Sequence, residues 1–279
     1  MAIRIITDSS CDLPYSIQEE LGIDIIPMLI SFGKEEYLDG RDMDALRFYE
    51  LLRQSEELPK TTQITPPQFE DIIRSYVDSG DSVILMPISR ELSGTYANAC
   101  MACASFPDDN VVVIDTLAVT FGLGLLIRIA AKLRDSGMAF DELTKKINDV
   151  KPRIKLFAVV GDLNYLRLGG RLSSAGAVLG TLLGIKPIIT VADGKVFDID
   201  RVRGMRVGYN RILDHVEKHE IDTDYPISFG HSDAPDFMTE LMKVADERIE
   251  HKETCTSGIG PIVGTHVGPG AAGIAFIAK

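Results

Sequence analysis

SVILMPISRELSGTY, residues 82–96, contains the repeating unit of the fold. Ser82 to Ile88 is short, apolar and flanked by polar residues, as a strand buried on both faces is. Ser93 then stands where a serine suits a helix N-cap, with its hydroxyl and the unpaired N–H groups of the first turn pointing past the strand's end. The helix dipole makes that point attractive to a carboxylate or phosphate, and Gly94 lets a ligand come close to the backbone. An ordinary cap is the plainer reading of the same residues.

The same rhythm spreads outward. Ile3 to Thr7 reads as a buried first strand, followed by a helix that Pro14 opens and that ends near Gly22. A second strand is expected around Ile25 to Phe32 and another at Val111 to Ile114. Helices are predicted over Pro67 to Ser79, stopped by Gly80, and over Phe121 to Arg134. Strand, loop and helix in alternation predict a mostly parallel sheet covered by helices, an α/β domain over residues 1–150. After Pro152 the texture changes to shorter strands near Phe157, Ile188 and Val196. Helices near Met205–Lys218 and Pro235–Ile249 follow, and an apolar strand from Gly273 to Ile277 closes the chain. This predicts an α+β domain over residues 151–279.

Hydrophobic residues make up 45% of the 279, enough for a sizeable core. Basic residues number 29 against 41 acidic, a formal charge of -12, which argues against a general nucleic-acid or anionic-membrane binder. Lys151 to Arg211 departs from this balance, with eleven Lys or Arg against four Asp and no Glu. It reads either as a solvated basic face or as a docking surface for an acidic partner, with Arg201 and Arg203 as candidate contacts. The four cysteines form no disulfide framework. Met1 to Asp8 has no signal-peptide pattern, and no run approaches the roughly 18 apolar residues that span a bilayer. A cytoplasmic chain with reduced thiols and no integral membrane association is expected.

Four further segments carry chemistry. TTQITPP from Thr61 is a hydroxyl-rich loop before a helix, and Thr61 and Thr62 can hydrogen-bond an anion without burying a counter-charge. TDSSCD from Thr7 follows the first strand, where Asp8, Ser9 and Ser10 order the loop or, in a second reading, Asp8 binds a metal or phosphoryl group. GGRLSS from Gly169 offers Arg171 as a planar clamp for a carboxylate or phosphate. The small apolar residues after it, 175–184, read as a core helix or as a tunnel wall. IGPIVGTHVGPGAAG from Ile259 contains a G-x-G-x-x-G, but no helix can follow it in a βαβ unit, so the dinucleotide reading fails. Its glycines read instead as a backbone-lined pocket around His266. Cys100 and Cys103 have no second pair and read as small buried residues. His215 and His219 lack the H-E-x-x-H order and read as an exposed helix face. Neither a Walker A loop nor a G-x-S-x-G elbow is present.

Together, seven segments in order resemble the DegV family: TDSSCDLP, TTQITP, SRELSGTYANA, DTLAVTFGLG, LNYLRLGGRLS, GHSDAP and IGPIVGTHVGPGAAGIAF. The resemblance implies two α/β domains with a fatty acid in the cleft between them. It implies a long-chain ligand such as palmitate, stearate or oleate, no cofactor and no catalytic residue of the chain's own. It also implies a partner, an ATP-binding fatty acid kinase subunit that phosphorylates the presented carboxylate for phospholipid synthesis. Carried over by motif, Thr61 and Ser93 are carboxylate-binding hydroxyls, with Thr62 where the family often has serine. His266 matches the family's histidine near the carboxylate, and Arg171 the arginine of the GGR motif. Ile64-Thr65 replaces the usual Pro-Ser, so the resemblance does not carry over the loop's exact shape. Two other readings compete: a stand-alone phosphotransferase or hydrolase using Asp8, Asp115 and His266 around a metal, and a regulatory protein that binds another carboxylate ligand.

Overall fold

The computed structural model describes residues 2–107, 110–173 and 184–279. Two main sheets organise it. The first has four parallel strands in the order Asp24–Ile26, Ile3–Asp8, Ser82–Leu85, Val111–Val113. The second has six, in the order Lys195–Arg203, Ile185–Ala192, Ile154–Val159, Ala271–Ile277, Ile227–Ser232, Thr254–Gly258; every pair is antiparallel except the last. The two-domain α/β architecture follows from these sheets. The second sheet's strands Ile185–Ala192 and Lys195–Arg203 are longer than the short strands expected there. They form one hairpin whose turn is Asp193-Gly194, both at positive φ, the left-handed turn that glycine and aspartate favour.

The helix Thr120–Asp135 joins the two sheets. Eleven of its residues are buried, and it is apolar nearly all round, as an element covered on every side must be. One cluster of buried side chains runs from Ile5 and Ile84 through Phe121 and Leu125 to Leu156 and Ala275. The interface between the sheets is therefore lined by apolar core residues. Phe121 packs against the facing pair Gly230 and Gly273, where a Cβ on Gly230 would come within 2.0 Å of its ring. The helices Met205–Val216 and Pro235–Asp246 cover the outer face of the six-stranded sheet over a separate cluster around Tyr209 and Phe229.

Several expectations are corrected. The single strand expected over Ile25 to Phe32 is two. Pro27 lacks a ladder donor and interrupts the run, so Asp24–Ile26 stays in the parallel sheet while Leu29–Phe32 enters another. That other sheet has three antiparallel strands, Glu35–Leu38, Leu29–Phe32 and Lys60–Thr61, and holds the start of the hydroxyl loop in register with Ile30. The helix after Ser93 runs Thr95–Cys103 and its cap position is Gly94, because an extra turn on the Ser89 carbonyl occupies residues 92 and 93. Cys100 and Cys103 are half-buried rather than buried. His215 and His219 are half-buried and stack on Phe157 at 5.6 and 5.9 Å, so they are not an exposed face. The expected core helix or tunnel wall at 175–184 lies almost entirely outside the described residues. Among those described, no helix is long and apolar enough to cross a membrane.

Candidate ligand-binding site

The carboxyl ends of the parallel strands face the six-stranded sheet across a cavity of about 470 Å3. Its walls are apolar. Ile88, Leu92, Val119 and Phe121 come from the first domain, and Leu156, Ile189, Val191 and Val196 from the second. Its polar lining comes from the hydroxyl loop, the start of the helix Thr95–Cys103, the GGR turn and the short helix Pro261–Val267. Thr61, Thr62, Ser93, Gly94, Arg171 and His266 all line it.

Local structure explains each placement. The loop from Thr61 is pinned at both ends. Thr62 N–H donates to the Leu29 carbonyl at 2.9 Å, and Thr65 forms a capping box with Gln68 that starts the helix Pro66–Val77. Asn98 Nδ2 donates to the Ile64 carbonyl at 2.8 Å, which ties the loop to the opposite helix. Gln63 lies across Gly94 so closely that a Cβ there would sit 1.9 Å from its amide oxygen. A side chain at 94 would therefore displace the Gln63 amide from this position. Ser93 Oγ accepts from Thr95 N–H at 3.2 Å and meets Thr95 Oγ1 at 2.9 Å, so it leads into the helix from one position before its cap.

His266 and Thr61 meet across the domains, Nε2 to Oγ1 at 3.3 Å. Burial, and then the charge of Arg171, lower the His266 pKa to about 4, so the imidazole is neutral at neutral pH. Its Nδ1 is buried with no hydrogen-bond partner and packs on Gly169, where a Cβ would lie 2.3 Å away. An unpaired lone pair is tolerated there better than an unpaired N–H, which favours the proton on Nε2. Nε2–H then donates to Thr61 Oγ1, which leaves the hydroxyl's own proton free for another acceptor. Arg171 donates Nε to the Leu92 carbonyl at 3.2 Å and Nη1 to the Gly169 carbonyl. Among the described residues it pairs with no acid, so a cationic fork lines the cavity without a counter-charge.

Asp8, Ser9 and Ser10 stand behind the wall. Asp8 is fully buried. It accepts from Ile88 N–H at 2.7 Å and from Ser10 N–H at 3.0 Å, while Ser9 Oγ accepts from Met28 N–H at 3.1 Å. Ile88 and Met28 both line the cavity. Asp115 faces Arg90 at 2.9 Å. Neither acid lines the cavity with His266, so the arrangement needed for a metal-dependent phosphotransferase is not assembled. Arg201 and Arg203 are exposed on the edge strand Lys195–Arg203, and Arg201 pairs with Asp198 at 2.7 Å. Gln63 was missed by sequence reasoning although it lies inside the quoted loop; an amide among hydroxyls was its only signal.

Six of the seven segments line this cavity and the first, TDSSCDLP, stands behind it. The model of the DegV family, a family of uncharacterised proteins, matches residues 2–279. The chain belongs to the DegV family. A DegV domain-containing protein of Caldanaerobacter subterraneus is 34% identical over 278 residues, covering 99% of each chain. The solved DegV-family protein of Thermus thermophilus, described by its fatty acid binding, superposes with a TM-score of 0.91 at 27% identity over 100% of both chains. A DegV lipid-binding protein of Thermotoga maritima gives 0.90 at 26% identity, covering 100% of this chain and 99% of that one. Structures of the DegV family thus share the two-domain arrangement that places the cavity.

Proposed function

We propose that this DegV-family chain binds a long-chain fatty acid such as palmitate, stearate or oleate. The carboxylate would lie among Thr61, Thr62, Ser93, Arg171 and His266, with the acyl chain against the apolar walls. One observation carries this reading: an apolar cavity whose hydroxyls, neutral imidazole and unpaired guanidinium are all suited to an anion. A buried carboxylate stays ionised only when several donors meet it. Each buried methylene contributes about 0.8 kcal/mol, so the chain supplies affinity and the head group sets position. The Thermus thermophilus and Thermotoga maritima relatives, described by fatty acid and lipid binding, support the same assignment.

The wider role belongs to the same proposal. The protein would present the carboxylate, in the cytoplasm, to a separate ATP-binding kinase subunit that forms the acyl phosphate. Thr62 and Gln63 are exposed while Ile64 beside them is buried, so the head-group end lies within reach of a partner. Titration with palmitate and with hexadecanol, which has the same chain and no carboxylate, separates head group from tail. Palmitate is expected to bind roughly tenfold tighter or better, and Thr61→Ala/Ser93→Ala should narrow the difference. Equal affinity for acid and alcohol would remove the carboxylate site.

A further inference from the structure

The short helix Asn164–Leu168 and the helix Pro261–Val267 interlock through two glycines, each just past a helix end. The Tyr165 ring lies over Gly268, where a Cβ would come 2.3 Å from it, and the His266 ring lies over Gly169, where a Cβ would come 2.3 Å from Nδ1. The backbones differ. Gly268 has a φ of 69°, which favours glycine whatever its neighbours. Gly169 has φ -71° and ψ -9°, an ordinary helical conformation open to any residue. Its missing side chain therefore answers to contact, and the nearest contact is the imidazole.

The turn at Gly169 has no donor left for that imidazole. The N–H groups of Gly169, Gly170 and Arg171 donate to the carbonyls of Tyr165, Arg167 and Leu166 at 2.9, 3.0 and 2.9 Å. The Gly169 carbonyl accepts from Arg171 Nη1. Nδ1 is buried without a partner, while Nε2 meets Thr61 Oγ1 at 3.3 Å. One nitrogen thus faces a bare Cα that excludes water, and the other faces a hydroxyl that can accept. A neutral imidazole so placed carries its proton on Nε2. Two titratable side chains lie around the ring. Arg171, together with burial, keeps it neutral, and the Tyr165 phenol on the packed helix is held protonated by its own burial.

We propose that Gly169 is a positioning residue for the carboxylate site: by seating the His266 ring on its bare Cα, it fixes the tautomer of the imidazole and its aim at Thr61. Gly169 stands behind the cavity wall that Leu166 and Arg171 line, so it acts through His266 and not on the ligand. A side chain at 169 would push the ring aside, open Nδ1 to water, let either nitrogen hold the proton and break the contact with Thr61. Gly169→Ala leaves the carbonyl that holds Arg171 in place, so it isolates the contact with the ring. The inference rests on the fatty-acid reading for its ligand, whereas the state of the ring belongs to the free protein.

Long-range proton–nitrogen NMR of the ligand-free full chain reads the tautomer, with His266→Gln identifying the signal among the five histidines. The wild-type ring should be protonated on Nε2 and titrate at about 4. In Gly169→Ala it should titrate closer to the ordinary histidine value and show both tautomers. By calorimetry that variant should bind palmitate about tenfold more weakly and hexadecanol as the wild type does. In a His266→Gln background the same substitution should cost less than about threefold. Circular dichroism establishes that each variant is folded. A wild-type proton on Nδ1 would overturn the proposal without recourse to any variant. So would a folded Gly169→Ala whose ring keeps its tautomer and titration, an equal loss of palmitate and hexadecanol, or an equal loss in both backgrounds, since packing alone accounts for each. A wild type that binds no palmitate would strike the fatty-acid reading, while the tautomer and titration would still decide the role of Gly169.

Discussion

At the scale of residues, the proposed site would divide the work of receiving an anion between His266 and Arg171. Arg171 would supply charge, whereas His266, kept neutral by burial and by that charge, would support a directed hydrogen bond through Thr61. Arg171→Gln removes a charge-assisted bond worth roughly 1.5–3 kcal/mol, so fatty-acid affinity by calorimetry should fall about ten- to hundredfold. The imidazole also predicts a pH dependence. Its folded pKa of about 4 lies below the ordinary 6.5, so the unfolded chain takes up this proton first on acidification. Stability from this group is complete above the unfolded value and is lost as pH falls from about 6.5 towards 4. The unfolding midpoint of the ligand-free wild type should therefore drop further than that of His266→Gln over this window. Parallel curves would mean that the histidine is not depressed. These residues were legible because each sits in a motif with a chemical rationale. What the sequence could not show was the Gly169 surface behind Nδ1, or that Arg171 reaches the Leu92 carbonyl, since both depend on contacts across long separations.

At the scale of elements, local signals succeeded where local energies decide. Gly22 ends its helix in the left-handed conformation, and the prolines at 66 and 67 open theirs. The reading failed where tertiary structure decides. An apolar run through Ile25 and Phe32 looks like one strand until Pro27 divides it between two sheets. The two-residue strand Lys60–Thr61 has no pattern of its own and exists because Leu29–Phe32 offers it a ladder. The helix Ala45–Gln54 was likewise passed over, although Asp44 caps it by accepting from Arg47 N–H at 2.8 Å. The hydroxyl loop depends on its own cap. Thr65→Ala removes the capping box and should cost about 1 kcal/mol in denaturant unfolding, with fatty acid held less tightly because Thr61 and Thr62 lose their anchor. Unchanged affinity in a measurably destabilised variant would show that the loop is held by the Asn98 contact alone.

At the scale of the molecule, the helix Thr120–Asp135 makes one core of two sheets, and the ligand cavity opens beside it. Alternating strands and helices made the first domain readable, and the seven motifs made the family readable. The mostly antiparallel six-stranded sheet was harder, because its strands come from separated parts of the chain and their order leaves no trace in spacing. The chain's acidic total conceals the basic stretch from Lys151 to Arg211, where Arg201 and Arg203 project from an edge strand. If that edge docks a kinase subunit, Arg201→Glu/Arg203→Glu should slow complex formation and leave fatty-acid binding intact, as surface plasmon resonance and calorimetry would report. Unaltered association kinetics would place the docking face elsewhere.

The central claim is that the cavity holds a fatty acid by its carboxylate. Denaturing extraction of the purified protein, followed by mass spectrometry, tests it directly. The wild type should yield about one long-chain fatty acid per chain, and Thr61→Ala/Ser93→Ala clearly less. No fatty acid from the wild type, or equal amounts from both proteins, would contradict the account.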